Sequence, residues 1–296
     1  FDTAAARVYN TLHPANIHTT RGTSMALSSA KLHKPWNYLL LTLGLTWLFW
    51  IPAALSGIPE PAPLPSILHY LGGSMPFVVV MVILFRQENR AYRREYWRRL
   101  VEVKRIPWRW LLLLVLIVPA IYLLAGGLDH LLGGRSPGLE SRFISAPLSL
   151  IPFAFFSLLF GPLPEELGWR GFWLDKLRSR YSGLTASLII TVGWSIWHLP
   201  LFFMSGYPLQ EFTASAARLA VYFLLLLPLS IIYAYVFYRN NRSTISAILF
   251  HFMVNFTGSI IAIELQTEWI QLFVYSFAAI LIVNKHPQIF FRNLLA

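Results

Sequence analysis

Residues 147–180 read PLSLIPFAFFSLLFGPLPEELGWRGFWLDKLRSR. The stretch opens as an apolar membrane span and closes on Lys176, Arg178 and Arg180, the kind of basic cluster that marks a cytoplasmic edge. As one helix it would be about 51 Å long, well beyond the roughly 30 Å hydrocarbon core of a bilayer. It must therefore tilt or break, and Gly161, Pro162 and Pro164 supply a break. A second half-helix would begin near Pro164 with Glu165 and Glu166 in its first turn. The positive end of the helix dipole favours carboxylates there, as in the broken helices of transporters.

The rest of the chain agrees with a membrane setting. Of 296 residues, 56% are hydrophobic and 12% charged, about half the charge of a soluble domain. The apolar residues come in long blocks, which predicts an all-α polytopic membrane protein with about eight spans. They cover residues 36–56, 66–85, 108–127, 147–163, 184–204, 216–238, 243–263 and 268–284. This gives one transmembrane domain over 36–284, a polar N-terminal tail over 1–35 and a C-terminal tail over 285–296. Residues 1–30 lack a hydrophobic run and are not a signal peptide, and Met25 would be a sensible start. Cysteine is absent, which excludes disulfides, cysteine metal sites and a thiol nucleophile.

The net charge of +11 would suggest nucleic acid on a soluble protein. Here it is topological, and no nucleic-acid partner is expected. With eight spans, the basic residues fall in alternate loops together with both termini. Only Arg135, Arg142 and Arg218 lie in the others. The positive-inside rule then puts both termini in the cytoplasm. The polar segment 86–109 reads as a cytoplasmic amphipathic connector. Trp36, Trp47, Trp50, Trp108, Trp110 and Trp269 read as interfacial anchors and packing.

Ionisable residues inside a bilayer are costly and usually functional. Besides the two glutamates, the spans hold His198, in WSIWH, and His251 and Asn255, in HFMVN. Counting from the basic edges at about 1.5 Å per residue puts Glu165 about 16 Å deep, His198 about 22 Å, His251 about 13 Å and Asn255 about 20 Å. Three helices thus bring five polar residues to overlapping depths. Glu166 and Arg170 stand at i,i+4, a good ion-pair spacing, which leaves Glu165 the freer carboxylate. By contrast His69, His130 and His286 lie near span ends and read as solvated. Asp129 sits at a span end, and Glu264 and Glu268 at the outer edge.

A carboxylate beside a neutral imidazole in a dry pocket can take a proton from water. A second histidine and an asparagine can donate to a developing oxyanion. Together they suit water attack on an amide. Glu165, His198 and His251 could instead hold a divalent metal such as zinc with an open position. His-x-x-x-Asn is not a dedicated zinc spacing, so direct base catalysis ranks first. No His-Glu-x-x-His motif is present.

In this order the motifs Glu165-Glu166-x-x-x-Arg170, Trp194-x-x-x-His198 and His251-x-x-x-Asn255 resemble the CPBP family, the CAAX-protease and bacteriocin-processing enzymes also called Abi. The resemblance implies a CAAX-protease-like bundle of eight helices, a glutamate-dependent intramembrane protease often classed as a metalloendopeptidase. Its cavity would open toward the cytoplasm. It implies that a glutamate of the first motif and His198 activate water, that His251 and Asn255 stabilise the oxyanion, and that Arg170 and Trp194 support the site. Trp194 departs from the family's usual Phe. The substrate would be a peptide or protein at the bilayer. A prenylated CAAX protein, a leader peptide, a bacteriocin precursor or another membrane-anchored protein all qualify. Two rivals stand beside this reading. A proton-coupled transporter calls for inverted repeats, which are not visible. A non-proteolytic scaffold or bacteriocin-immunity protein calls for a damaged motif, and the motif is intact.

Overall fold

The computed structural model describes residues 35–292, so most of the expected N-terminal tail and the last residues of the C-terminal tail lie outside it. Helix α1 (Pro35–Leu55) and helix α2 (Pro63–Gln87) form an antiparallel pair. Gly57, with φ +63°, lies in the turn between them. The pair is joined by polar contacts that hydrocarbon cannot supply. Thr46 Oγ1 donates to the Gly72 carbonyl at 3.0 Å, and the Trp50 indole N–H to the His69 carbonyl at 2.8 Å. A side chain at Gly72 would collide with the Trp50 ring. Trp50, expected as an anchor or packing residue, is thus a core residue, whereas Trp108 and Trp269 are exposed.

Helix α3 (Arg90–Val101) forms the connector, capped by the Asn89 side chain, which accepts the Tyr92 N–H at 2.8 Å. It is not simply a solvated face. Arg99 is fully buried, with one guanidinium nitrogen 2.5 Å from Asp175 and another 3.1 Å from the Gly171 carbonyl. Tyr96 donates to the Leu167 carbonyl at 3.1 Å. The connector is therefore clasped to the fourth span.

Helix α4 (Trp108–Leu131) leads to strand β1 (Gly138–Leu139) and helix α5 (Ser141–Ser145). The fourth span then runs through helix α6 (Leu150–Phe160), a break at Gly161, helix α7 (Pro162–Gly168), a π-helical turn (Trp169–Trp173) and helix α8 (Leu174–Arg178). The break comes at Gly161, whose φ −120° and ψ −93° are not helical, and the new helix starts at Pro162. Proline suits that place because a first-turn residue needs no N–H partner. Glu165 lies in the first turn. The π turn has no counterpart in the residue pattern. Such turns leave carbonyls without intrahelical partners. The α3 side chains satisfy the Leu167 carbonyl just ahead of it and the Gly171 carbonyl within it.

Helix α9 (Gly183–His198) continues as a 3₁₀ turn (Leu199–Phe203), followed by helix α10 (Pro208–Phe212) and helix α11 (Ala216–Arg239). Helix α12 (Thr244–Ile260) ends in strand β2 (Ile261–Ala262), which pairs antiparallel with β1, Gly138 opposite Ala262. Helix α13 (Leu265–Lys285) and helix α14 (Pro287–Phe290) complete the described chain. Among the described residues seven helices are long and apolar enough to cross a membrane, the broken one included. The eighth, α12, has 17 residues and is about 26 Å long, slightly shorter than the hydrocarbon core. Apolar side chains such as Leu48, Leu124, Phe273 and Phe277 are exposed on the outside of the bundle, as lipid contact requires. The chain is an integral, multi-pass, all-α membrane protein.

Its loops segregate to two ends. At one end Arg105 donates to the Asn241 carbonyl and Arg178 to the Arg292 carbonyl, and Lys176 pairs with Glu88. At the other the Glu60 N–H donates to the Ser205 carbonyl at 2.9 Å, and β1 pairs with β2. The basic loops share the first end. Arg135, Arg142 and Arg218 belong to the second.

Candidate active site

The glutamates of α7 point in different directions, as neighbours about 100° apart on a helix must. Glu166 is fully buried. Its Oε1 accepts from Arg170 Nη1 at 2.8 Å and from His251 Nδ1 at 2.9 Å. The Arg170 guanidinium lies 4.1 Å from the Tyr233 ring centre and 4.9 Å from that of Trp194, so aromatic faces stand in for water around a buried cation. Arg170 is thus an internal counter-ion and not one of the cytoplasmic basic residues.

Glu165 takes the other direction and lines a cavity of about 590 Å³. Its Oε2 accepts the Trp194 indole N–H at 2.8 Å. The tryptophan that stands where the family usually has Phe therefore supplies a donor that Phe cannot. His198 lines the same cavity, with Nδ1 2.8 Å from the Trp194 carbonyl. A carbonyl can only accept, so Nδ1 carries the proton and Nε2 keeps its lone pair. His251 and Asn255, one turn apart on α12, complete the polar wall. A side chain at Gly161 would come 3.5 Å from the Asn255 amide nitrogen, so the helix break and Asn255 are neighbours. Glu165, His198, His251 and Asn255 all face one cavity, and Glu166 and Arg170 lie behind it.

The remaining walls are largely apolar and aromatic, with Phe153, Phe156 and Phe160 of α6 on one side and Tyr222, Leu225 and Leu226 of α11 on another. The cavity reaches Tyr207, Phe212 and Ile263, which belong to the end opposite the basic loops. The charge pattern puts the termini with the basic loops in the cytoplasm, and the resemblance puts the cavity mouth on that same side; the lining residues at the opposite end set these two expectations against each other.

Glu165, His198 and His251, the three expected metal ligands, line the same cavity. Among the described residues no three His, Cys, Asp or Glu side chains are gathered to hold an ion. One oxygen of Glu165 and the Nδ1 of each histidine are engaged by protein groups, which leaves the other Glu165 oxygen and both Nε2 atoms toward the cavity.

Some residues near the site carry a different role from the one their position suggested. His69 was expected to be solvated. It lines the cavity, 3.0 Å from Glu60. Glu268, expected at an outer edge, also lines it and pairs with Arg218 at 3.3 Å. Asp129 is fully buried and accepts from Thr267. Gln271 lines the cavity too. A search for intramembrane charge passes over an uncharged amide.

Comparison with known proteins is consistent with this geometry. The family described as Type II CAAX prenyl endopeptidase Rce1-like matches residues 147–257, which hold all three motifs. A relative, CAAX prenyl protease 2 of Methanococcus maripaludis, is 31% identical over 271 residues, covering 90% of this chain and 99% of the relative. Nearly the whole length of a CAAX prenyl protease is thus matched, and the chain belongs to the type II CAAX prenyl endopeptidase family and is an intramembrane endopeptidase.

Proposed function

We propose that Glu165 and His198 activate the water that cleaves the peptide bond, while His251 and Asn255 hold the oxyanion. The observation that carries this reading is the convergence of these four side chains, from three spans, on one cavity. Glu165 takes the proton as the water oxygen attacks the carbonyl carbon. The His198 Nε2 lone pair accepts a hydrogen bond from the same water and orients it. His251 spends its Nδ1 proton on Glu166, so a hydrogen bond to the oxyanion requires a second proton, on Nε2. The Glu166 carboxylate supplies the counter-charge for that imidazolium. The Asn255 amide is the second donor. As the tetrahedral intermediate collapses, the proton held on Glu165 passes to the leaving amine. Glu165→Ala or His198→Ala should abolish cleavage in a folded, membrane-inserted protein. Full activity in both would refute the assignment.

The substrate we propose is a lipid-anchored peptide, of the prenylated class named by the relative, whose scissile bond is held inside the bilayer. The apolar cavity walls support this, because they suit an acyl or prenyl chain better than a solvated one. We also propose that both termini are cytoplasmic, from the one-sided distribution of Lys and Arg. The cavity mouth then faces the opposite compartment. The absence of cysteine makes a direct test available. A single cysteine at Gln210, in α10 near the cavity mouth, should react with an impermeant maleimide in intact cells. One at Lys104, in the basic connector, should react only after permeabilisation. The reverse pattern would put the cavity in the cytoplasm.

A further inference from the structure

The cavity has a second polar wall that the proposed chemistry does not use. Gln271 of α13 is 2% exposed and lines the cavity; its amide faces the Tyr122 hydroxyl, which can take only one of its two N–H donors. A buried amide with a spare donor facing a cavity calls for an explanation. Thr267, one turn earlier, is committed to Asp129, so α13 is held against α4. Tyr122 of α4 lines the cavity beside Gln271. Its hydroxyl reaches over α12 at Gly258, where a Cβ would stand 2.7 Å from it. Glycine is thus needed at 258 for this approach.

The spacing connects this wall to the reaction centre. Gly258 lies three residues beyond Asn255 on α12, about 4.5 Å further along the axis. An extended peptide advances about 3.3 Å per residue. A substrate with its scissile carbonyl at Asn255 would present a neighbouring carbonyl, one or two residues away, at Tyr122 and Gln271. We propose that Tyr122 and Gln271 are positioning residues that hydrogen-bond a substrate backbone carbonyl next to the scissile bond. They fix the peptide's register over Glu165. This rests on the reading of Glu165, His198, His251 and Asn255 given above.

The test uses the full chain in detergent micelles and a prenylated peptide ending in Cys-aliphatic-aliphatic-X. A companion series of peptides has each flanking backbone carbonyl replaced in turn by a methylene. Gln271→Leu should raise KM about fivefold, the size of one ordinary hydrogen bond, and leave kcat within about twofold. Tyr122→Phe should act in the same direction. Removing one particular carbonyl should raise the wild-type KM by a similar factor and leave the Gln271→Leu enzyme indifferent. Losses in the variant that multiply with every carbonyl deletion, or that fall on kcat alone, would overturn the proposal. The carbonyl series on the wild-type enzyme decides the matter even if a variant fails to fold, since no single deletion raising KM would also overturn it. Glu165→Gln run in parallel separates the two layers. If it cleaves like wild type, or if wild type cleaves none of the peptides, the reading of the site itself fails.

Discussion

Glu165 and Glu166 are adjacent and chemically identical, yet the fold gives them separable tasks, and one pair of variants tests that. Glu166→Gln removes the charge that faces Arg170 at 2.8 Å and His251 at 2.9 Å inside a fully buried pocket. The guanidinium is then left without a counter-ion. Breaking a buried pair from one side costs about 3–5 kcal/mol. For a chain of this size that is on the order of 10 °C in thermal midpoint. Glu165→Gln keeps an oxygen that can still accept the Trp194 N–H and strands no cation, so it should cost no more than about 1 kcal/mol. The assay is thermal unfolding of purified protein in detergent, followed by circular dichroism, beside peptide cleavage by the same samples. Glu166→Gln should unfold early, and Glu165→Gln should be stable and inactive. Equal midpoints for both variants would refute the division of labour.

Other outcomes follow from the same contacts. Trp194→Phe removes the N–H that holds Glu165 and should lower kcat/KM about fivefold, read by initial rates, with the thermal midpoint changed by only a few degrees. Arg99→Met frees the Gly171 carbonyl and removes one of the two arginines on Asp175, so it should cost about 2–3 kcal/mol in thermal unfolding. Exhaustive chelation should leave cleavage within about twofold of the untreated enzyme, and loss of activity restored by zinc would favour the metal reading over direct base catalysis.

The spans and the break were legible because both follow from strong local rules. Long apolar blocks cross bilayers, and a Gly-Pro-x-Pro segment cannot continue a helix. The grouping of Glu165, His198, His251 and Asn255 was legible from depth alone, since each is a simple count from a basic edge. The π turn was not, because its carbonyls are satisfied by Tyr96 and Arg99 from a distant segment. For the same reason the connector looked like a topological device, when Arg99 is in fact a buried tie to the span that carries Glu165. His69 and Glu268 were discounted because a position near a span end suggests water. A cavity that reaches the end of the bundle takes in such residues as well. The direction of the cavity was not legible either. It depends on which halves of α2, α9 and α12 face inward, and no single-helix pattern contains that.

The central claim is that Glu165 is the base for water attack inside the bilayer. The most direct measurement reconstitutes wild type and Glu165→Gln in liposomes with a prenylated peptide ending in Cys-aliphatic-aliphatic-X and follows both products by mass spectrometry in ¹⁸O-labelled water. The wild type should yield an N-terminal product carrying one ¹⁸O at its new carboxylate together with an unlabelled C-terminal fragment, and Glu165→Gln should yield neither. Cleavage by Glu165→Gln at the wild-type rate would contradict the claim.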